Sequence, residues 1–310
     1  MEDFEKKIDG YKFNYNNIHC EQGDNYQTII LDNRSQFKKS LKYILEKKIN
    51  QVEIRHELDE NDIKALLTLE SIPLKGLSIE NSRNKGSLSF LNELVSLEYL
   101  IITSQQVGII DFKELVNLKE FNSSSQNIEL KNLDCASNLV RLSLQNYNDK
   151  DLPVLKSTNL KFISIYFSDI KTLNFLSKCS KIEYVRIEKA SNLLSINELG
   201  ASKDTIKELL LTKCSKFQDY SILGSLSNLD YLRILKCGSM KTTLFLEKLS
   251  SLRYGNIDID IEDGNVNNIL DKPIIFKYYK HFSAKSNYKV KLGIDGLTYL
   301  YKGKNVLYSI

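Results

Sequence analysis

An aliphatic triplet of the form L-x-x-L-x-L recurs ten times along this chain, at intervals of 21 to 25 residues. A repeat of about 20–29 residues with this pattern predicts a solenoid in which each repeat contributes one short strand. Since a single repeat buries its apolar face only against its neighbours, the 310 residues are expected to form one elongated domain. The triplets are Ile49-Val52-Ile54, Leu74-Leu77-Ile79, Leu97-Leu100-Ile102, Leu118-Phe121-Ser123, Leu139-Leu142-Leu144, Leu160-Ile163-Ile165, Ile182-Val185-Ile187, Ile206-Leu209-Leu211, Leu229-Leu232-Ile234 and Leu252-Gly255-Ile257.

The triplets predict parallel strands on a concave side, because alternate side chains of each strand enter the core. Between the triplets lie apolar clusters with a spacing of three or four residues, which favours short helices and loops on the convex side. The clusters are Phe112-Leu115, Leu173-Phe175-Leu176, Ile222-Leu223-Leu226 and Leu244-Leu246-Leu249.

Both ends of a solenoid need caps, since a terminal repeat would otherwise expose the core. Residues 1–48 are expected to form an N-terminal α/β cap, with a strand over 26–31 and a helix after Asn33 or Ser35, on which Phe37, Leu41, Ile44 and Leu45 form one stripe. A second helix is predicted over 59–70, inside a solenoid of residues 49–262. Residues 263–310 are expected to form a β-rich C-terminal cap with antiparallel strands over 274–282, 288–292 and 297–301, and a hairpin turn at 302–305.

Over residues 49–260 the chain resembles the leucine-rich repeat family, and it is most similar to the intracellular class with repeats of 22 residues. The family consensus continues L-x-x-L-x-L-x-x-[NC], and Cys214 and Cys237 match its ninth position, where the resemblance implies a hydrogen bond to backbone groups of the turn. Tyr147 and Ala190 depart from that consensus, so a regular asparagine ladder is not expected. The resemblance implies an α/β solenoid with a curved parallel sheet, and a binding role rather than an enzymatic one.

The third, fifth and seventh positions of each repeat point out of the concave sheet, so the core does not dictate their identity. Five of the ten third positions are aromatic, and tyrosine and arginine dominate protein interfaces. The alternative is that aromatic residues simply suit strands. The predicted partner-binding residues are Tyr99, Arg141, Phe162, Tyr166, Tyr184, Arg186, Glu188, Tyr231, Arg233 and Tyr254.

Charge gives little support to nucleic-acid binding. Positions three, five, seven and eight hold seven cations and six anions, and the net charge is only +4. The segment Lys272–Lys304 combines eight lysines with aromatic residues. This combination is typical of proteins that bind single-stranded nucleic acid, but lysines also protect edge strands from aggregation. We therefore regard a nucleic-acid partner as the weakest of the alternatives.

Catalytic patterns are absent from the sequence, and no cofactor or metal is expected. The three histidines (His19, His56 and His281) are scattered, and no metalloprotease, nucleophile-elbow or phosphate-loop motif occurs. The acidic cluster at 258–263 is interpreted as a solvated loop rather than a cation site. Five separated cysteines, with no C-x-x-C pair, indicate reduced thiols, and Cys179 is interpreted as a small core residue.

No stretch of about 18 apolar residues and no signal-peptide pattern occurs, which predicts a cytoplasmic location. The abundance of Asn, Lys, Ile and Ser suggests a bacterial source. The leading hypothesis is a non-catalytic module, monomeric in the free state, that binds another protein through its concave face. By analogy, the partner is a toxin that this chain neutralises as an immunity protein; the alternative is a secreted or injected effector that binds a host protein.

Overall fold

The structure is a computed structural model that describes residues 5–14, 28–72, 74–80, 87–103, 107–124, 127–147, 152–268, 272, 274–276, 288–292, 298–302 and 305–309. The chain divides into two compact units. The N-terminal unit contains residues 1–147 and 155–159, and the C-terminal unit contains residues 148–154 and 160–310.

The N-terminal unit is built on parallel strands that carry the predicted triplets. From β3 onward the strands pair in the order β3-β4-β5-β6-β8-β10, while β1 and β2 form an antiparallel hairpin attached to the edge of β3. A second, two-stranded parallel sheet pairs β7 with β9. The strands are β1 (Glu5–Ile8), β2 (Tyr11–Asn14), β3 (Thr28–Leu31), β4 (Gln51–Ile54), β5 (Gly76–Ile79), β6 (Tyr99–Ile102), β7 (Val107–Asp111), β8 (Glu120–Ser123), β9 (Asn127–Lys131) and β10 (Arg141–Gln145).

Register explains why the triplet recurs in this unit. Leu77 pairs with Leu100, Leu100 with Phe121 and Phe121 with Leu142, so the middle members of successive triplets stack in one column. All four side chains are buried. Each buried aliphatic or aromatic side chain of this size contributes roughly 1.5–3 kcal/mol relative to an exposed one, so every repeat stabilises its neighbours through this column.

The described residues of the N-terminal unit include two α-helices, in the two segments where the sequence predicts helices. Helix α1 (Phe37–Lys47) follows a 3-10 turn, Arg34–Gln36, which the Asn33 side chain caps by accepting from the Ser35 amide. Helix α2 (Glu60–Leu67) begins at Asp59, whose side chain accepts from the amide of Asp62, while Asp62 accepts from the amide of Asp59. This reciprocal capping box satisfies amides that would otherwise lack partners at the helix start.

After β5, the described connections between the strands contain 3-10 helices and turns in place of α-helices. The C-terminal unit has 3-10 helices at three of the predicted clusters, and the fourth cluster, Phe112–Leu115, forms a turn after strand β7 rather than a helix. The reason is length, because about twenty residues per repeat leave room for a strand and only one or two tight turns. The 3-10 helices after α2 are Thr68–Ser71, Leu88–Glu93, Leu133–Cys135, Asn174–Leu176, Asn197–Ser202, Ser221–Ser225 and Leu244–Lys248.

Side chains also join consecutive repeats of the N-terminal unit outside the sheet. The Asn117 side-chain amide donates to the carbonyl of Val95 at 3.0 Å, and that of Asn138 donates to Val116 at 2.8 Å. Both bonds span 22 residues, which is about one repeat. Polar residues at this turn therefore tie each repeat to its predecessor by satisfying a backbone carbonyl.

The C-terminal unit continues the same design. Strands β11 to β16 pair in parallel and in chain order, and β17, β18 and β19 form a separate antiparallel sheet. The strands are β11 (Phe162–Tyr166), β12 (Tyr184–Glu188), β13 (Glu208–Thr212), β14 (Tyr231–Leu235), β15 (Tyr254–Asp258), β16 (Ile274–Phe276), β17 (Tyr288–Leu292), β18 (Thr298–Lys302) and β19 (Asn305–Ser309).

The prediction that the segment after Ile274 is antiparallel is wrong at β16. This strand pairs parallel to β15, with Gly255 opposite Ile274, and adds one more level to the solenoid sheet. A side chain at Gly255 would approach Ile274 Cγ1 to 2.7 Å, which explains why glycine replaces leucine in the last triplet. Residues 277–282 of the predicted strand lie outside the described residues. The predicted antiparallel strands are confirmed at β17, β18 and β19, and the register leaves residues 303–304 between β18 and β19.

Candidate protein-binding surface of the C-terminal unit

The C-terminal unit presents a regular face opposite its core. With the first member of each triplet counted as position one, the residues at positions three, five and seven alternate with buried core residues along β12 to β15. Because the five strands β11 to β15 are paired in register, equivalent positions form columns across them. We name each column after its position in the repeat: columns three, five and seven lie on the strands, and column eight contains the residue that directly follows each strand. Adjacent members of a column are about 4.8 Å apart.

Column three is mainly aromatic, and it contains Phe162, Tyr184, Glu208, Tyr231 and Tyr254. The rings of Tyr231 and Tyr254 stack with centroids 4.9 Å apart and planes 17° apart. Those of Phe162 and Tyr184 lie 6.3 Å apart with planes tilted by 34°. Packed pairs of this kind fix the rings before any partner arrives, which lowers the entropy lost on binding.

Column five contains the two arginines, Arg186 and Arg233, on either side of Leu210. Arg186 is exposed and its guanidinium donates to the Tyr166 hydroxyl at 3.1 Å, so a column-seven residue orients it. Arg233 is half-buried, and its Nε–H is buried with no hydrogen-bond partner among the described residues. A buried donor without a partner has a free-energy cost, which an acceptor on a bound molecule would relieve.

Column eight follows the strands and has an unusual backbone. Phe167, Lys189, Lys213 and Lys236 all have positive φ, between 51° and 57°. Non-glycine residues seldom adopt this left-handed conformation, and asparagine is the type that tolerates it best. The Lys189 ammonium lies 3.8 Å from the centroid of the exposed Phe167 ring, which is a cation–π contact.

Eight of the ten predicted binding residues lie on this face of the C-terminal unit: Phe162, Tyr166, Tyr184, Arg186, Glu188, Tyr231, Arg233 and Tyr254. The other two, Tyr99 and Arg141, lie in the N-terminal unit, in register with Glu120 between them. The Nε of Arg141 is 3.5 Å from the Glu120 carboxylate. The binding role of all ten residues remains a prediction.

From the sequence, the column-eight lysines are recognisable only as charges, and Phe167 is not among the predicted binding residues. A large apolar residue in the position that lysine occupies in the next three strands was the available signal. Backbone conformation was not accessible from the sequence, because neither phenylalanine nor lysine favours positive φ.

The corresponding face of the N-terminal unit is more enclosed at its first strands, β4 and β5. Gln51, Glu53 and Ser78, which lie at outward positions of β4 and β5, are almost completely buried. Glu53 forms an ion pair with Arg55. Burial and the neighbouring Glu53 carboxylate raise the pKa of Glu80 above its usual range, although a hydrogen bond from Ser78 opposes the shift. These side chains satisfy one another and present little free surface.

The cysteines of the turns are buried or hydrogen-bonded within the protein. The buried Cys214 thiol donates to the Ile187 carbonyl at 3.8 Å, as the family resemblance implies for the ninth position. A hydrogen bond with Cys237 lowers the pKa of Cys214, and the same bond together with burial raises the pKa of Cys237. Cys179 is buried in the core, and this burial raises the pKa of its thiol to about 11.

The remaining candidate residues have no described arrangement for catalysis. His56 is buried and its Nδ1 lies 2.9 Å from the Leu31 carbonyl oxygen, while His19, His281 and Cys20 lie outside the described residues. Among the described residues no group of three or more His, Cys, Asp or Glu side chains is placed to hold a metal ion. In the acidic cluster, Glu262 accepts from Ser239 and Asp263 accepts from the Asn265 amide.

Most of the basic segment Lys272–Lys304 lies outside the residues whose side chains are described. Lys272 is an exception, and its ammonium donates to the carbonyls of Glu247 and Leu249, each at 3.1 Å. This lysine therefore closes the end of a 3-10 helix. In the part of the chain that the structure describes, no helix is long and apolar enough to cross a membrane.

The recurring triplets, carried on in-register parallel strands with short convex connections, define a leucine-rich repeat fold. No protein-family model and no curated protein sequence matches the chain. It is similar to the crystal structure of an internalin (inlF) from Listeria monocytogenes, with 15% identity over 78% of this chain and 83% of that one, and a TM-score of 0.45.

Two plant receptors are similar as well. One is the leucine-rich repeat ectodomain of the receptor kinase GASSHO1/SCHENGEN3 from Arabidopsis thaliana, with 14% identity over 76% of this chain and 32% of that one, and a TM-score of 0.45. The other is the plant peptide hormone receptor RGFR1, with 14% identity over 74% of this chain and 50% of that one, and a TM-score of 0.36. The chain thus spans half or less of each receptor.

Proposed function

We propose that this chain is a protein-binding module whose contact surface is the face of the C-terminal unit formed by columns three, five and seven. The observation that carries the proposal is the combination of stacked aromatic residues and arginines on adjacent strands. Tyr231 and Tyr254 are held by stacking, and Arg186 is held by Tyr166. Aromatic and arginine anchors of this kind supply most of the affinity at protein interfaces when they are fixed in advance.

The mechanism is occlusion, in which the face covers a functional surface of the partner without chemical change. Column three supplies apolar contact area, and column five supplies charged hydrogen-bond donors about two strands apart. The Nε–H of Arg233 contributes further, because an acceptor from the partner would satisfy a buried donor. Affinity should therefore reside mostly in these anchors and little in the surrounding polar residues.

The partner is best found by affinity capture from the producing cells with mass spectrometry, followed by titration of the purified pair. The variant Tyr184→Ala/Arg186→Ala should then bind at least about tenfold more weakly, with an unchanged melting temperature because both side chains are outside the core. The matched control is Leu194→Ala/Arg253→Ala, which removes an exposed aliphatic residue and an arginine elsewhere in the same unit. Unchanged affinity in the first variant would exclude this face as the binding surface.

Within this class, we propose a cytosolic immunity protein that neutralises a toxin of the same bacterium. The support is the composition, which is typical of AT-rich bacterial genes, together with a face suited to occlusion. Coexpression of the chain with the captured partner should restore growth that the partner alone suppresses, and the Tyr184→Ala/Arg186→Ala variant should fail to do so. Delivery of the chain into host cells in a translocation assay would instead favour an effector.

A further inference from the structure

Three lysines form a continuous row at the ends of adjacent strands in the C-terminal unit. Lys189, Lys213 and Lys236 occupy column eight after β12, β13 and β14, and all three share the same left-handed backbone conformation. Lys213 and Lys236 are exposed, and Lys189 is half-buried against Phe167. We call these three residues the lysine row.

Backbone hydrogen bonds hold the lysine row in register. The amides of Lys189, Lys213 and Lys236 donate to the carbonyls of Thr212, Leu235 and Asp258 on the following strand, at 2.8 to 2.9 Å. The ladder of the sheet thus extends through column eight, and the α-carbons should be spaced about 4.8 Å apart. The α-carbons of the three lysines therefore lie within roughly 10 Å of one another along the ends of the strands.

These charges are not neutralised by ion pairs within the described residues, whereas other lysines of the same unit are. Lys207 lies 2.6 Å and Lys161 lies 3.8 Å from the Glu183 carboxylate. None of the three ammonium groups of the lysine row is within 4 Å of a described carboxylate. Columns three, five, seven and eight of β11 to β15 together contain five cations (Arg186, Lys189, Lys213, Arg233 and Lys236) and three carboxylates (Glu188, Glu208 and Asp258).

Local folding does not explain the choice of lysine. A left-handed residue follows each of the strands β10 to β14, and asparagine or glycine adopts this conformation with less strain. In the N-terminal unit the equivalent residue after β10 is Asn146, whose side chain also donates to the Ser124 carbonyl at 3.3 Å. Lysine in three consecutive repeats adds both conformational strain and mutual repulsion, which the contact with Phe167 offsets at Lys189 alone. Binding to another molecule therefore accounts best for the row as a whole.

We propose that the lysine row binds an acidic segment of the partner protein, aligned across the ends of β12 to β14. This inference rests on the proposed binding face and specifies the chemistry of its partner. The flexible ammonium groups match carboxylates spaced about 5–7 Å apart, as on one side of a helix or a strand. A nucleic acid fits less well, because three lysines offer few phosphate contacts and nucleic-acid affinity depends on neutralising many phosphates.

A fluorescein-labelled oligoglutamate peptide of about ten residues tests this chemistry before the partner is known. Fluorescence anisotropy with the full chain at low salt should show binding that weakens steeply as salt rises. The variant Lys189→Gln/Lys213→Gln/Lys236→Gln should bind at least about tenfold more weakly. The control Lys171→Gln/Lys178→Gln/Lys203→Gln changes the net charge equally at three exposed lysines between the strands, and it should bind within about twofold of the native chain.

Equal losses in the two triple variants would overturn the proposal, because they would show a general charge effect. Absence of oligoglutamate binding at low salt would overturn it as well. Tighter binding of a single-stranded oligonucleotide that is lost in the lysine-row variant would reassign the row to nucleic acid. Lys213→Gln alone, checked by circular dichroism, provides a second test if the triple variant does not fold.

Failure of this inference can be separated from failure of the proposed function. If the captured partner loses affinity for Tyr184→Ala/Arg186→Ala but not for the lysine-row variant, the binding face stands and the acidic segment is excluded. If it loses affinity for neither variant, both proposals fail. Loss in both variants, with a salt dependence reduced only in the lysine-row variant, supports both.

Discussion

Leu142 in the N-terminal unit and Leu232 in the C-terminal unit occupy the same position of the repeat, and both are completely buried. The outward residues of the two units are treated differently. Glu120 approaches Arg141 and Glu53 pairs with Arg55 in the N-terminal unit, whereas the C-terminal unit exposes Arg186 and the lysine row. The comparison teaches that the repeat specifies a common core while leaving each face free to serve either stability or recognition.

The largest effect should come from the core of each unit. Leu142→Ala and Leu232→Ala should each lower the free energy of unfolding by about 2–5 kcal/mol, because each removes buried aliphatic volume from the core column of its own unit. Urea denaturation followed by circular dichroism measures both. If the free energy of unfolding hardly changes in one of the two variants, the cores of the two units are not equivalent.

Arginines of the two faces should differ in binding. Arg186→Ala should lower the affinity for the captured partner at least about fivefold, because the Arg186 guanidinium is exposed and oriented by Tyr166. Arg141→Ala should change affinity less than about twofold, since its guanidinium already faces Glu120. Isothermal titration of the two variants decides the matter, and a greater loss from Arg141→Ala would move the binding surface to the N-terminal unit.

Exchange of the left-handed residues should alter stability in opposite directions. Asn146→Lys should destabilise the chain by about 1 kcal/mol, since it adds left-handed strain and removes the hydrogen bond to Ser124. Lys213→Asn should stabilise it by about 0.5 kcal/mol by relieving the same strain. Thermal unfolding measures both changes, and destabilisation by Lys213→Asn would mean that this lysine serves the fold.

The smallest effect concerns Glu80 and depends on pH. Its pKa is raised in the folded state by burial and by Glu53, so the folded chain binds this proton more tightly than the unfolded chain. The stabilisation that proton binding at Glu80 gives is fully present below the pKa of Glu80 in the unfolded chain. It is lost as pH rises through the pKa of Glu80 in the folded chain, so the free energy of unfolding falls between these two pKa values. Glu80→Gln should flatten the profile and add about 0.5 kcal/mol at neutral pH. A steeper profile in Glu80→Gln would contradict the assignment.

Periodicity predicted the fold well because it reports directly on the core. The triplet predicted the strands, and the Asp59 cap correctly located α2. Helix α1 begins at Phe37, after a 3-10 turn that Asn33 caps, and not directly after Asn33 or Ser35. The sequence did not predict that β16 is parallel, because this depends on the contact between Gly255 and Ile274 nineteen residues away. It also could not distinguish 3-10 from α-helices, since clusters of four to six residues suit both.

The candidate site was predictable in membership more than in geometry. Alternation along each strand was enough to identify the residues of columns three and five as outward-facing. The stacking of Tyr231 on Tyr254, the buried Nε of Arg233 and the left-handed backbone of the lysine row all depend on neighbouring strands. A single sequence gives no direct access to such relationships between repeats.

The hydrogen bonds from the Asn117 side chain to the Val95 carbonyl and from the Asn138 side chain to the Val116 carbonyl affect how the N-terminal unit opens. Each repeat holds a carbonyl of the one before it, so a repeat in the middle opens only by breaking bonds on both sides. Local opening should therefore be hardest in the middle of the unit and easiest at its first strands. Amide hydrogen exchange would record this as protection that rises from β1 and β2 toward β6 and β8.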